Sequence, residues 1–176
     1  MKQLATVMFA SLATVAFAGQ PVMETSSKKT VIPEEPCFGE TELQLDVYGA
    51  GAFVTHNSDE DGWGGGLGLN YYFSRYIGVG VDGTVTSQDD GVWQFHGHLL
   101  ARWPIDTGSI CLAPYLKVGG GWQVDGSNDW AYGGGAGIEF RVTPRVGIFG
   151  EGAYYWGVND SAVDYTQVKA GVRFIF

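Results

Sequence analysis

Positive charge is scarce in this chain: ten Lys and Arg stand against nineteen Asp and Glu, a formal net charge of −9. With no basic patch to neutralise phosphates, a nucleic-acid role is excluded on electrostatic grounds. Long apolar runs are also missing. Leu4 to Phe17 is apolar but too short to cross a bilayer as a helix, and no later run is longer. Proline is held to 6 residues and cysteine to 2, while glycine reaches 28 and aromatics 14%. So much glycine, with so many Tyr, Trp and Val, argues against long helices.

What remains is alternation. After residue 41, eight segments of about ten residues each put large apolar side chains on one parity and polar or ionisable ones on the other. They are Glu42 to Val54, Trp63 to Phe73, Ile77 to Thr86, Val92 to Trp103, Ile110 to Val124, Ala131 to Val142, Val146 to Trp156 and Gln167 to Phe176. The last shows the pattern best. Val168, Ala170, Val172, Phe174 and Phe176 oppose Gln167, Lys169, Gly171 and Arg173. A soluble barrel would turn the apolar row inward, whereas cations opposite it suit a barrel with lipid outside and a polar lumen.

Tight connections (Ser74 to Tyr76, Thr143 to Arg145) and the modest Pro104 to Ser109 alternate with acidic ones (Thr55 to Gly62, Gln88 to Gly91, Asp125 to Trp130, Gly157 to Val163). That asymmetry fits short periplasmic turns and longer outer loops. Trp63, Trp93, Trp122, Trp130 and Trp156 near the loops, with Tyr72, Phe73, Trp103, Phe140 and Phe176 near the turns, form the expected interfacial girdles. At the other end, Lys2, the apolar stretch and Ala16-Phe17-Ala18 read as a secretory signal peptide over 1–18. Residues 19–41, with Ser, Lys, Glu and Pro and little apolar content, read as a flexible periplasmic leader.

The alternation and the Phe176 end resemble the small eight-stranded outer-membrane proteins, the superfamily of the outer-membrane protein A transmembrane domain and of opacity-like surface proteins. The resemblance covers 42–176 and implies an all-β, antiparallel, up-and-down transmembrane barrel. It also implies that Phe174 and Phe176 belong to a terminal signal strand read by the outer-membrane assembly machinery. The expected setting is the bacterial outer membrane, with lipid and lipopolysaccharide around a monomer.

The lumen is expected to hold Asp46, Asp82, Glu139 and Glu151 against Arg102, Lys117, Arg141, Lys169 and Arg173, together with His96 and His98. An eight-stranded interior is only wide enough to be filled by side chains, so these charges must pair. Counting from the strand ends sets Asp46 beside Arg173 and Glu151 beside Lys169. The expectation is a salt-bridged, largely closed core with a structural or surface role. A narrow ion or solute path is the alternative, kept open by the luminal glycines 64, 66, 68, 78, 80, 133 and 135.

Other chemistries are weaker. His96, His98 and Asp82 offer imidazole and carboxylate ligands, yet no third firm ligand can be placed, so no metal or other cofactor is expected. A lipid A-modifying enzyme, the second alternative, needs Ser, His and a carboxylate converging near the outer leaflet. Strand serines are nearly absent, and His56, Ser58 and Asp59 merely share a loop, so no enzyme is expected. The acidic loops have oxygen ligands but no complete calcium-loop spacing. Cys37, just before the first segment, and Cys111, near the start of the fifth, fall at the same end of the barrel, and those two strands lie across it from each other. A bridge between the cysteines in an oxidising compartment would pull the leader over the periplasmic mouth as a plug; two free thiols are the alternative.

Overall fold

A computed structural model describes residues 36–54, 61–87, 91–107, 110–125, 127–158 and 164–176. The expected signal peptide and most of the leader lie outside the described residues.

The strands are β1 (Glu42–Val54), β2 (Gly62–Tyr72), β3 (Ile77–Ser87), β4 (Val92–Arg102), β5 (Ile105–Asp106), β6 (Cys111–Asp125), β7 (Ser127–Thr143), β8 (Val146–Gly157) and β9 (Tyr165–Ile175). Every pairing is antiparallel. β1 pairs with both β2 and β9, and β4 pairs with β6, so eight strands close into a ring. Closure removes the free edges that a membrane would leave without hydrogen-bond partners. The two-residue β5 hangs on the start of β6, pairing Ile105 with Leu112 and Asp106 with Cys111.

Two connections differ from the sequence expectation. Pro104 to Ser109 is not wholly a turn, because β5 lies within it. Asp125 and residues 127–130 are strand and not loop: β6 and β7 run on to a pairing of Asp125 with Ser127, making strands of 15 and 17 residues. Polar composition there signals contact with water, and a strand that outruns the bilayer meets water too. The tight turns are braced by side chains. The Ser74 hydroxyl accepts from the Tyr76 and Ile77 amides, and the Thr143 hydroxyl from the Arg145 amide.

Burial runs opposite to that of a soluble protein. Val81 and Leu99 are 59% and 58% exposed, and Leu67, Leu116, Val118, Ile138, Ile148 and Val168 join them in an outward apolar band. Glu139 and Arg173, by contrast, are 0% and 2% exposed. A continuous apolar surface of this extent is not stable in water. Trp63, Trp93, Trp122, Trp130 and Trp156 are exposed toward the loop end, as are Phe73, Trp103, Phe140 and Phe176 toward the turn end. Tyr72 is the correction here: it is fully buried and faces the lumen, beneath the Arg102 guanidinium at 3.8 Å.

Two of the luminal glycines do not leave open space. At Gly66 a Cβ would lie 2.6 Å from the Tyr48 hydroxyl and would also strike the Gly83 carbonyl. At Gly80 it would run into Asn70 and His98. At these two positions glycine marks where a side chain from another strand fills the interior. Gly66→Val is expected to cost about 1–3 kcal/mol by overpacking. An unchanged urea midpoint for refolding into vesicles would show that both Tyr48 and the β3 backbone at Gly83 give way without cost.

Candidate functional site: the luminal charge network

Side chains of one parity on all eight strands point inward, so charges distant in sequence meet at three heights. At the turn end, Glu42 on β1 is the centre. Its Oε2 accepts from Arg102 Nη1 at 2.7 Å and from Arg141 Nη2 at 2.6 Å, and Gln44 adds a third donor at 3.0 Å. Arg102 also donates to the Arg75 carbonyl at 2.8 Å, and Arg141 to Glu139 at 2.5 Å.

One step inward, Arg173 grips Asp46 through both Nε and Nη2 at 2.7 Å, the two-pronged geometry that suits guanidinium and carboxylate. Its Nη1 reaches Glu139 at 2.7 Å, so Glu139 bridges Arg141 and Arg173. The Phe149 ring lies 4.7 Å from this guanidinium. Asn70 donates to Asp46 at 2.8 Å and meets His98 Nε2 at 3.1 Å, linking this level to the next.

Toward the loop end, Lys169 donates to Asp82 at 2.6 Å, while Lys117 pairs with Glu151 and the Tyr115 hydroxyl donates to the same carboxylate at 2.8 Å. Both histidines face Asp82: His96 Nδ1 at 3.2 Å and His98 Nδ1 at 3.4 Å. His96 Nε2 meets the Tyr165 hydroxyl at 2.8 Å and stacks on Tyr155. Beyond it, Gln167 donates to Gln94 at 2.7 Å across the barrel.

Among the described residues, five carboxylates therefore face five cations in the lumen, each in at least one ion pair. Sequence reasoning missed Glu42. Its parity with Gln44 and Asp46 was the signal, obscured because it sits where the polar leader gives way to the strand. The register sets Asp46 opposite Arg173 and Glu151 opposite Lys169. Lys169 nevertheless leans away from Glu151, 3.8 Å off, toward Asp82. A void of about 10 Å³ remains among Asp46, Asn70, Asp82, His98, Lys169 and Arg173, roughly room for one water.

Cys37 and Cys111 are joined in a disulfide, with Cα atoms 5.8 Å apart. Asp106 lies beside them, forming among the described residues the one cluster with metal-ligand proximity. Sulfurs bonded to each other are not thiolates, so this trio does not make a cation site. His56, Ser58 and Asp59 lie outside the described residues. Phe174 is partly exposed on the outer face and Phe176 is 73% exposed, its backbone paired with Leu43.

The class this fold defines is the small eight-stranded transmembrane β-barrel of the outer-membrane type. No family model and no curated protein matches the chain. Among solved structures it is similar to Neisserial surface protein A, at 18% identity and a TM-score of 0.59, over 78% of this chain and 98% of that one. The N-terminal β-barrel domain of Pseudomonas aeruginosa OprF matches at 14% identity and 0.59, over 77% and 97%. Ail, the attachment invasion locus protein of Yersinia pestis, matches at 17% and 0.50, over 79% and 99%.

Proposed function

We propose that this protein is a bacterial outer-membrane barrel with a structural or surface role, its lumen closed by its own ion pairs and without enzymatic activity. The balanced set of five carboxylates and five cations carries this reading. Buried charges are tolerated where each is paired and hydrogen-bonded, and a set without net charge offers a passing ion no fixed counter-charge. The outward apolar band supports contact with lipid and lipopolysaccharide, and the likeness to outer-membrane barrels supports that location. Insertion by the outer-membrane assembly machinery, with Phe174 and Phe176 in the strand it reads, and a monomeric state complete the reading.

One observation favours a narrow channel as the second reading. Buried Gln44 Oε1, Thr86 Oγ1 and Gln167 Oε1 have no protein hydrogen-bond partner, and buried polar atoms of this kind call for water. Single-channel recording in planar bilayers separates the two. Silence from wild type, Glu151→Gln and Lys169→Met is the expected result. Discrete openings that change with either substitution would instead make the luminal pairs a gate.

A further inference from the structure

The turn-end mouth is filled by residues 36–41 and not by strand side chains alone. Phe38 is 1% exposed, its ring between the guanidinium carbons of Arg141 at 4.4 Å and Arg102 at 5.1 Å. An aromatic face so placed attracts both cations and excludes water from them. The backbone is engaged as well. The Cys37 carbonyl accepts from Arg141 at 2.8 Å and the Gly39 carbonyl from Arg102 at 3.3 Å, while the Gly39 amide donates to Glu42 at 2.5 Å. The Cys37 amide donates to Asp106 at 3.2 Å.

The two anchors of this segment lie on opposite sides of the ring. Glu42 opens β1, and Cys111 opens β6, four strands away in either direction. The disulfide thus stretches 36–41 across the mouth. Without it, only the continuation into β1 holds the segment covalently to the barrel.

We propose that residues 36–41 are a redox-released latch over the turn-end mouth, with the Cys37–Cys111 bond as its catch. The proposal rests on the lumen being closed as read above. A dithiol reductant would open it by passing two electrons and two protons to the bridge: the S–S bond breaks, two thiols form, and the reductant closes its own disulfide. Phe38 then leaves its pocket, and Arg141 loses both the ring and the Cys37 carbonyl. Because Arg141 shares Glu139 with Arg173, the release reaches the next ring of charges inward.

The test is hydrogen exchange of the Cys37 and Gly39 amides in the full chain, folded in vesicles, before and after dithiothreitol reaches the turn-end side, with single-channel current recorded beside it. Phe38→Ala with the bridge intact and Cys37→Ser/Cys111→Ser are the comparison variants. Exchange about tenfold faster or more after reduction and in both variants is the expected result. Reduction is applied after insertion, so that arm does not depend on a variant folding. Exchange unchanged by reduction would overturn the latch while the closed lumen stands. Current from the oxidised protein would overturn the closed lumen, and the latch with it.

Discussion

Arg173→Met is expected to destabilise the folded barrel by about 3–5 kcal/mol, the loss typical of breaking a buried ion pair from one side. Arg173 is 2% exposed and is the main cationic partner of Asp46, with Glu139 on its third nitrogen. Met fills much of the same volume, so a cavity does not explain the loss. What remains is two buried carboxylates that have each lost a guanidinium partner. Asn70 still donates to Asp46, and Arg141 still holds Glu139, but neither replaces the paired guanidinium. Neutralising the stranded groups should therefore recover most of the stability. Arg173→Met/Asp46→Asn/Glu139→Gln is expected to lie closer to wild type than the single variant does. Urea-driven unfolding from vesicles, followed by tryptophan fluorescence, reads both. A single variant that loses less than about 1 kcal/mol, the range of exposed pairs, would mean that water already solvates this level of the lumen.

The architecture was legible because its physics is local. A strand with one face in lipid and one in a polar interior must alternate, and Val168 to Phe176 against Gln167 to Arg173 shows this without any partner strand. Placement in the lumen follows from parity alone for Asp46, Asp82 and Glu139. Tyr72 shares the parity of Asn70, which places it inside. Reading it as a girdle residue gave its amphipathic ring more weight than its position in the pleat. Pairing was harder to see than placement. Counting along strands finds neighbours such as Glu151 and Lys169, which stand opposite each other. It does not find Lys169 with Asp82, because those residues lie on β9 and β3 and meet only across the interior. A lysine stem long enough to cross a narrow barrel has several acceptors in reach, and the choice among them depends on what fills the space between. The seat of Phe38 is illegible for the same reason. A lone aromatic in a polar segment carries no period, and its pocket is assembled from residues 102 and 141.

Val81→Arg is expected to cost about 2–4 kcal/mol of folding stability in a bilayer, the range for Arg near the midplane on the lipid face of such barrels. Val81 is central in β3 and 59% exposed, between Leu69 on β2 and Gly97 on β4. In a water-soluble barrel an exposed valine replaced by arginine would be near neutral, within about 0.5 kcal/mol, and would improve solubility. The size of the effect therefore distinguishes the two environments without reference to any relative. A luminal control sharpens the comparison. Thr84, on the same strand but of opposite parity, is fully buried against the Tyr48 hydroxyl at 2.9 Å. Thr84→Val removes that contact but leaves the Tyr48 hydroxyl the Gly83 carbonyl at 3.2 Å, so it is expected to cost about 0.5–1.5 kcal/mol in any solvent. Refolding both variants from urea into vesicles of different acyl length separates lipid from lumen. The Val81→Arg penalty should shrink in thinner bilayers, where the guanidinium reaches the interface more easily, while the Thr84→Val penalty should not. An arginine at 81 that leaves insertion unimpaired at every thickness would mean that this face does not meet lipid.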